Sequence, residues 1–73
     1  MNELETLKNI GKRLVKLRKK AGYKSYETFA FDNDIPRQQY WRMERGENMT
    51  IKTLVKVLKC FDLTIEQFFK IKV

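Results

Sequence analysis

The chain has 73 residues, a formal net charge of +7, one cysteine and no histidine. This length suits a single domain with a thin core, and Cys60 alone offers no metal-ligand spacing. Without histidine, the most common general base and transition-metal ligand are missing, so we expect no enzyme and no metal or cofactor. No apolar run approaches the roughly 20 residues that cross a bilayer, and no signal-peptide pattern is found, which favours a soluble, cytoplasmic domain. The charge favours a polyanionic partner, although a basic surface that aids solubility explains it equally well.

The first two helices are predicted from apolar spacing and from their ends. Apolar residues recur every three or four positions from about Glu3 to Lys20, which predicts a helix there. Asn2 is its expected N-cap, and Gly22 is expected to end it. Ser25 is the expected N-cap of a second helix that ends at about Asp32 or Asn33.

A third helix is predicted from Pro36 to Arg45, with Gly46 ending it. Proline is tolerated in the first turn of a helix and disfavours helical geometry at the residue before it. The three-residue turn 33–35 is too short for a stacked antiparallel pair and suits two crossed helices. Residues 26–45 therefore have the spacing of a helix-turn-helix unit.

That crossed arrangement places three requirements on the chain, and three residues meet them. Ala30 is small enough for the point where the helices cross. Asp34, in the turn, is a residue type that tolerates left-handed backbone geometry. Tyr40 is the apolar residue expected to fix the third helix to the core.

Two further helices complete the predicted fold. Thr50 is the expected N-cap of a fourth helix from Ile51 to Phe61. Its expected apolar face consists of Leu54, Val55, Leu58 and Phe61. Thr64 and Gln67 have the capping-box spacing that opens a short fifth helix.

The last residues have a different spacing. Phe69, Ile71 and Val73 alternate with lysines, a period of two that is typical of a strand. A single strand has no partner within the chain, so this segment either pairs with a second copy or is a tail. Because terminal residues are usually loose, the tail is favoured.

Several short stretches, taken together in their order along the chain, resemble the Cro/phage-repressor type of helix-turn-helix domain, the XRE family. The likeness covers about residues 9–69, and its most specific piece is Glu44-Arg45-Gly46 at the end of the third helix. The other stretches are Ile10-Gly11-Lys12-Arg13-Leu14, Leu17-Arg18, Phe29-Ala30, Leu54 to Phe61 and Leu63-Thr64-Ile65-Glu66. The resemblance implies an all-α, five-helix, lambda-repressor-like domain that is usually dimeric and regulates transcription. Repression is the expected outcome, and activation stays open as the alternative.

The resemblance also implies that the third helix docks in the major groove of DNA. The base-facing positions would be Arg37, Gln38, Trp41 and Arg42, with Gln39 beside them. The residue types agree independently, because Arg pairs with guanine and Gln with adenine. A polar, solvated face is the alternative interpretation, and an exposed Trp41 counts against it.

Phosphate contacts are expected from the starts of the second and fourth helices and from the end of the third. The candidates are Lys24, Ser25, Tyr26, Arg45, Thr50 and Lys52. The alternative role of Ser25 and Thr50 is to cap their helices. The alternative for any single lysine is a solvated charge that contacts no phosphate. The resemblance further implies a structural ion pair between Arg18 and Glu44, without contact to DNA.

Two partners are expected besides DNA, and other classes are less favoured. A homodimer would form through the apolar residues near the C-terminus, which are Phe68, Phe69, Ile71 and Val73. A monomer remains open as the alternative. As an alternative function, the same residues would bind a partner protein, as in the antitoxin of a toxin–antitoxin pair. A basic peptide lying on a membrane surface is disfavoured by five capped helices with their own core.

Overall fold

The computed structural model describes residues 2–73, and these residues form an all-α fold of five helices with no strand. The helices are α1 (Glu3–Lys20), α2 (Tyr26–Asp32), α3 (Arg37–Glu44), α4 (Ile51–Cys60) and α5 (Ile65–Phe69). The predicted fold class is therefore confirmed. Helix α3 is one residue shorter at each end than predicted, because Pro36 (ψ 126°) has extended backbone geometry and Arg45 is the C-cap. Helix α4 ends at Cys60, since Phe61 is its C-cap.

The predicted caps account for where four of these helices begin. The side chains of Asn2, Ser25, Thr50 and Thr64 each accept a hydrogen bond from a backbone N–H in the first turn of their helix. Thr64 and Gln67 form the complete capping box. These bonds satisfy N–H groups that have no partner inside the helix.

The turns that orient α3 use left-handed backbone geometry, as predicted. Asp34 has a φ of 58° between α2 and α3, and Gly46 has a φ of 79° after α3. Asp62, between α4 and α5, also has a positive φ of 57°, which was not predicted from the sequence. Aspartate tolerates this region better than most residues with a side chain.

The core takes side chains from every helix. The side chains that become inaccessible to solvent include Leu14 of α1, Phe29 of α2, Tyr40 of α3 and Phe68 of α5. The contribution of α4 differs from the prediction: Leu54, Val57 and Leu58 are buried, whereas Val55 and Phe61 are only partly buried. A ten-residue helix with apolar residues on two sides does not reveal from sequence which side packs inward.

Helix α1 approaches the C-terminal end of α3 unusually closely. A Cβ atom added at Gly11 would lie 2.9 Å from the carbonyl carbon of Glu44 and 3.0 Å from the Met43 oxygen. A Cβ added at Gly46 would lie 2.8 Å from the Cα of Lys8. Glycine at both positions lets the two backbones meet, which sets the position of α3 against the longest helix.

The C-terminal segment is an irregular tail fastened to α1. Arg13 Nε donates to the Ile71 carbonyl oxygen at 2.8 Å, and Lys16 Nζ donates to the Lys72 carbonyl oxygen at 2.9 Å. The Arg13 guanidinium also lies over the Phe69 ring, 5.4 Å from its centroid. Within the single chain described, residues 70–73 form no strand, as expected for a tail, and two side chains of α1 that the sequence did not connect to this tail hold it in place.

Helices long and apolar enough to cross a membrane are absent from the described part of the chain.

Candidate nucleic-acid interface

Helix α3 has one buried side and one exposed side. Tyr40 and Met43 are in the core and anchor the helix. The structure leaves the five predicted base-facing residues on the exposed side, which we call the outer face of α3: Arg37, Gln38, Gln39, Trp41 and Arg42. This face carries hydrogen-bond donors, amide acceptors and one aromatic ring, with two guanidinium charges.

Arg37 begins the outer face and leans toward α2. Its Nη1 donates to Glu27 Oε2 at 3.3 Å, and both side chains are more than half exposed. Beside the pair, Phe31 and Ile35 line a shallow groove. An exposed ion pair of this kind contributes little stability, so Arg37 can exchange Glu27 for another acceptor at small cost.

Trp41 lies at the centre of a small group of side chains that span three segments. The Arg45 guanidinium carbon is 4.5 Å from the centroid of the indole ring, and the Tyr26 ring is 6.4 Å away at a tilt of 33°. Arg45 Nε is also 3.7 Å from Glu47 Oε2. Two of the residues predicted to contact phosphate, Tyr26 and Arg45, therefore contact or adjoin Trp41 in the free protein.

The other predicted phosphate contacts divide into helix caps and exposed lysines. The Ser25 hydroxyl oxygen accepts from the backbone N–H of Glu27 and of Thr28, at 3.0 and 3.3 Å. The Thr50 hydroxyl oxygen accepts from the Thr53 N–H at 3.1 Å. Both hydroxyls thus cap helices, while Lys24 and Lys52 are exposed next to those helix starts.

A groove between α3 and α4 brings in residues that the sequence prediction missed. Asn48 lines it together with Gln38, Gln39 and Arg42. Next to it, Gln39 lines a second groove with three lysines of α4, which are Lys52, Lys56 and Lys59. Their spacing of four and three residues puts these lysines on one side of a helix, a signal visible in the sequence. The positive charge beside α3 is therefore larger than Lys52 alone provides.

Arg18 and Glu44 form a buried, two-pronged ion pair behind the outer face. Arg18 Nε and Nη2 donate to the two Glu44 carboxylate oxygens at 2.7 and 3.3 Å, and the side chains are only 7% and 9% exposed. Arg18 Nη1 also donates to the Tyr23 carbonyl oxygen at 3.0 Å. The hydrogen bond to Glu44 raises the pKa of Arg18 although burial opposes it, so the guanidinium stays charged.

The Tyr40 hydroxyl is buried close to this pair. It has no hydrogen-bond partner among residues 2–73. Burial and the neighbouring Glu44 carboxylate hold the pKa of Tyr40 well above its ordinary value. The hydroxyl is therefore uncharged, and its side chain serves packing.

The predicted apolar contact surface near the C-terminus is partly wrong. Phe68 is completely buried in the core, and Ile71 is packed against the core, so Phe68 is not available to a second copy or to another protein. Phe69 and Val73 are 40% and 55% exposed. The sequence could not distinguish these residues, because the short helix α5 leaves both sides apolar.

Clusters of three or more His, Cys, Asp or Glu side chains suited to a metal ion do not occur within residues 2–73. Comparison of the chain with protein-family models, curated proteins and solved structures found no match in any of the three.

Proposed function

We propose that the protein is a sequence-specific DNA-binding regulator of transcription, of the Cro/phage-repressor type, that inserts α3 into the major groove. The observation that carries the proposal is the outer face of α3. It joins two exposed arginines and two exposed glutamines on a helix whose other side is anchored by Tyr40 and Met43.

The chemistry of this face matches the edges of base pairs. Arg37 and Arg42 carry the donor fork that pairs with guanine O6 and N7, and Gln38 and Gln39 carry the donor and acceptor that pair with adenine. Lysines at the start of α2 and along α4 flank the face and supply charge for phosphates. Their positions support an interface with a polyanion around α3.

We further propose that the protein acts in the cytoplasm as a homodimer and as a repressor. With Phe68 buried, the apolar residues left for a dimer contact are Phe69 and Val73. A symmetric dimer predicts two half-sites separated by about one helical turn, roughly 34–36 Å. A selected DNA sequence without two-fold symmetry would indicate a monomer.

The test is selection from a randomised duplex pool at several salt concentrations. We expect enrichment of one short sequence and a log–log dependence of affinity on salt with a negative slope. Binding without enrichment would reduce the function to nonspecific association. Absence of binding at low salt would overturn the proposal.

Substitution of the two arginines then tests the assignment of the outer face. Arg37→Ala and Arg42→Ala should each relax the preference at one base pair, a loss of about 1–3 kcal/mol of discrimination. If either variant weakens all sequences equally, that arginine contacts phosphate and not a base.

A second candidate function is binding of a partner protein, as in an antitoxin. The observation that favours it is the exposure of Phe69 and Val73 at the end of the chain. Size-exclusion chromatography of protein purified from cells should then show a complex that is lost in Phe69→Ser. Elution of the protein without any partner, at a volume that the substitution does not change, would argue against this candidate.

A further inference from the structure

Trp41 is an unexpected residue type on the outer face of α3. Its neighbours on this face are arginines and glutamines, whereas its own side chain is a large aromatic ring that is 36% exposed. An indole has one N–H donor and no acceptor, so it cannot make the paired contacts by which Arg and Gln identify bases. A single N–H donor does not separate these bases, since adenine, guanine and thymine all present an acceptor in the major groove, so the discriminating contact open to Trp41 is apolar.

The ring is held in place before any ligand arrives. Arg45 lies 4.5 Å from the ring centroid, within the range of a cation–π contact, and Tyr26 adjoins it at 6.4 Å. Arg45 is itself close to Glu47. A side chain with a fixed orientation loses little conformational freedom on binding, which favours a directed contact over a general one.

The major-groove edges of base pairs offer one apolar group that matches such a ring. Adenine, guanine and cytosine present nitrogen and oxygen atoms there, and thymine adds a C5-methyl group. We propose, on the basis of the proposed function, that Trp41 contacts the methyl group of a thymine and thereby selects a T·A pair. Trp41 is in this view a specificity-determining residue that Arg45 and Tyr26 position.

The test uses the highest-affinity duplex from the randomised pool and the full-length chain. Each thymine is replaced in turn by deoxyuridine, which lacks the methyl group and keeps every hydrogen-bonding atom. We expect about a fourfold loss of affinity at one position per half-site, the equivalent of ~0.8 kcal/mol for one buried methyl-sized group. Thymines outside the selected sequence serve as the matched control and should be replaceable without loss.

Two variants connect that loss to Trp41. In Trp41→Ala, the thymine and uracil duplexes should bind with equal affinity at the sensitive position. Because Trp41 lies outside the hydrophobic core, the variant should keep its fold, and the thermal midpoint checks this. Arg45→Gln retains the indole and removes the cation beside it, so the thymine preference should fall below fourfold without disappearing.

A selected sequence that contains no thymine would overturn the contact, and so would a wild-type affinity that uracil leaves unchanged at every position. An equal loss of affinity on replacing thymine by deoxyuridine in Trp41→Ala would also overturn it. Failure of the pool selection overturns the proposed function and this contact together. Sequence-specific binding that is insensitive to uracil overturns the thymine contact alone, and leaves Trp41 packing against sugar.

Discussion

Arg18 carries a positive charge into a part of the protein where little solvent reaches it. Glu44 neutralises that charge through two hydrogen bonds, and the Tyr23 carbonyl accepts a third. A buried pair of this kind is weak evidence for net stability, because desolvation offsets much of the attraction. Removing one partner is a different matter, since the other charge is then buried alone.

We therefore predict that Arg18→Met destabilises the domain by about 3–5 kcal/mol. In a chain of this size the change should lower the Tm by more than about 10 °C, as measured by circular dichroism. Lys19→Met is the matched control, because it removes the same charge from an exposed neighbouring position. Since the pair lies behind α3, Arg18→Met should keep the sequence preference of whatever fraction is folded. A changed preference would place Arg18 at the DNA.

Tyr40 leads to a prediction of opposite sign. Its hydroxyl is buried without a hydrogen bond of good geometry within residues 2–73, so the nearby Glu44 carboxylate offsets only part of the free energy lost on leaving water. We expect Tyr40→Phe to raise the free energy of unfolding by about 1 kcal/mol, measured by urea denaturation. A decrease would mean that the hydroxyl donates to Glu44 in solution.

Single residues were predictable where the backbone demands a particular type. Gly22 and Gly46 were recognised as helix stops and Asp34 as the left-handed turn residue, and all three have a positive φ. Asp62 escaped notice, because aspartate is also common in turns of ordinary geometry. The pairing of Arg37 with Glu27 was not foreseen either, since it joins two helices whose relative position only the fold defines.

At the scale of helices, the contact between α1 and α3 depends on glycine. Alanine has a higher intrinsic helix propensity than glycine by about 1 kcal/mol, so Gly11→Ala would stabilise an isolated α1. In the folded protein the added methyl group would collide with the backbone of Glu44. Backbone atoms cannot move aside as a flexible side chain does, so the collision outweighs the propensity.

The prediction is that Gly11→Ala lowers the free energy of unfolding by about 1–3 kcal/mol, the usual cost of overpacking. Chemical denaturation measures it, with Lys12→Ala as the control on an exposed position of the same helix. A more stable Gly11→Ala variant would show that α1 and α3 are further apart in solution.

The five helices and their caps were predictable because apolar spacing and capping residues are local signals. Their packing was less so. Val57 is buried where Val55 was expected, and Phe68 lies in the core where a contact surface was expected. The fastening of the tail by Arg13 and Lys16 joins residues more than fifty positions apart, beyond the reach of any local pattern.

For the molecule as a whole, the +7 charge should be apparent in the salt dependence of the proposed DNA binding. Each lysine that contacts a phosphate contributes about 0.9 to the slope of log affinity against log salt. We predict that Lys52→Gln weakens binding to all sequences by the same factor and reduces the slope by about one. Lys70→Gln, at the end of α5, should leave the slope unchanged. Equal effects of both variants would indicate a diffuse attraction without a defined face.

Helix α1 lies away from the outer face of α3, but its close approach to α3 couples the opening of α1 to binding at that face. When α1 separates, Glu44 loses Arg18 and the end of α3 loses its packing against Gly11. Because a ligand that binds only the native state disfavours every opening that destroys its site, DNA should slow amide hydrogen exchange throughout the middle of α1. Protection confined to α2, α3 and α4 would mean that α1 opens independently of the rest.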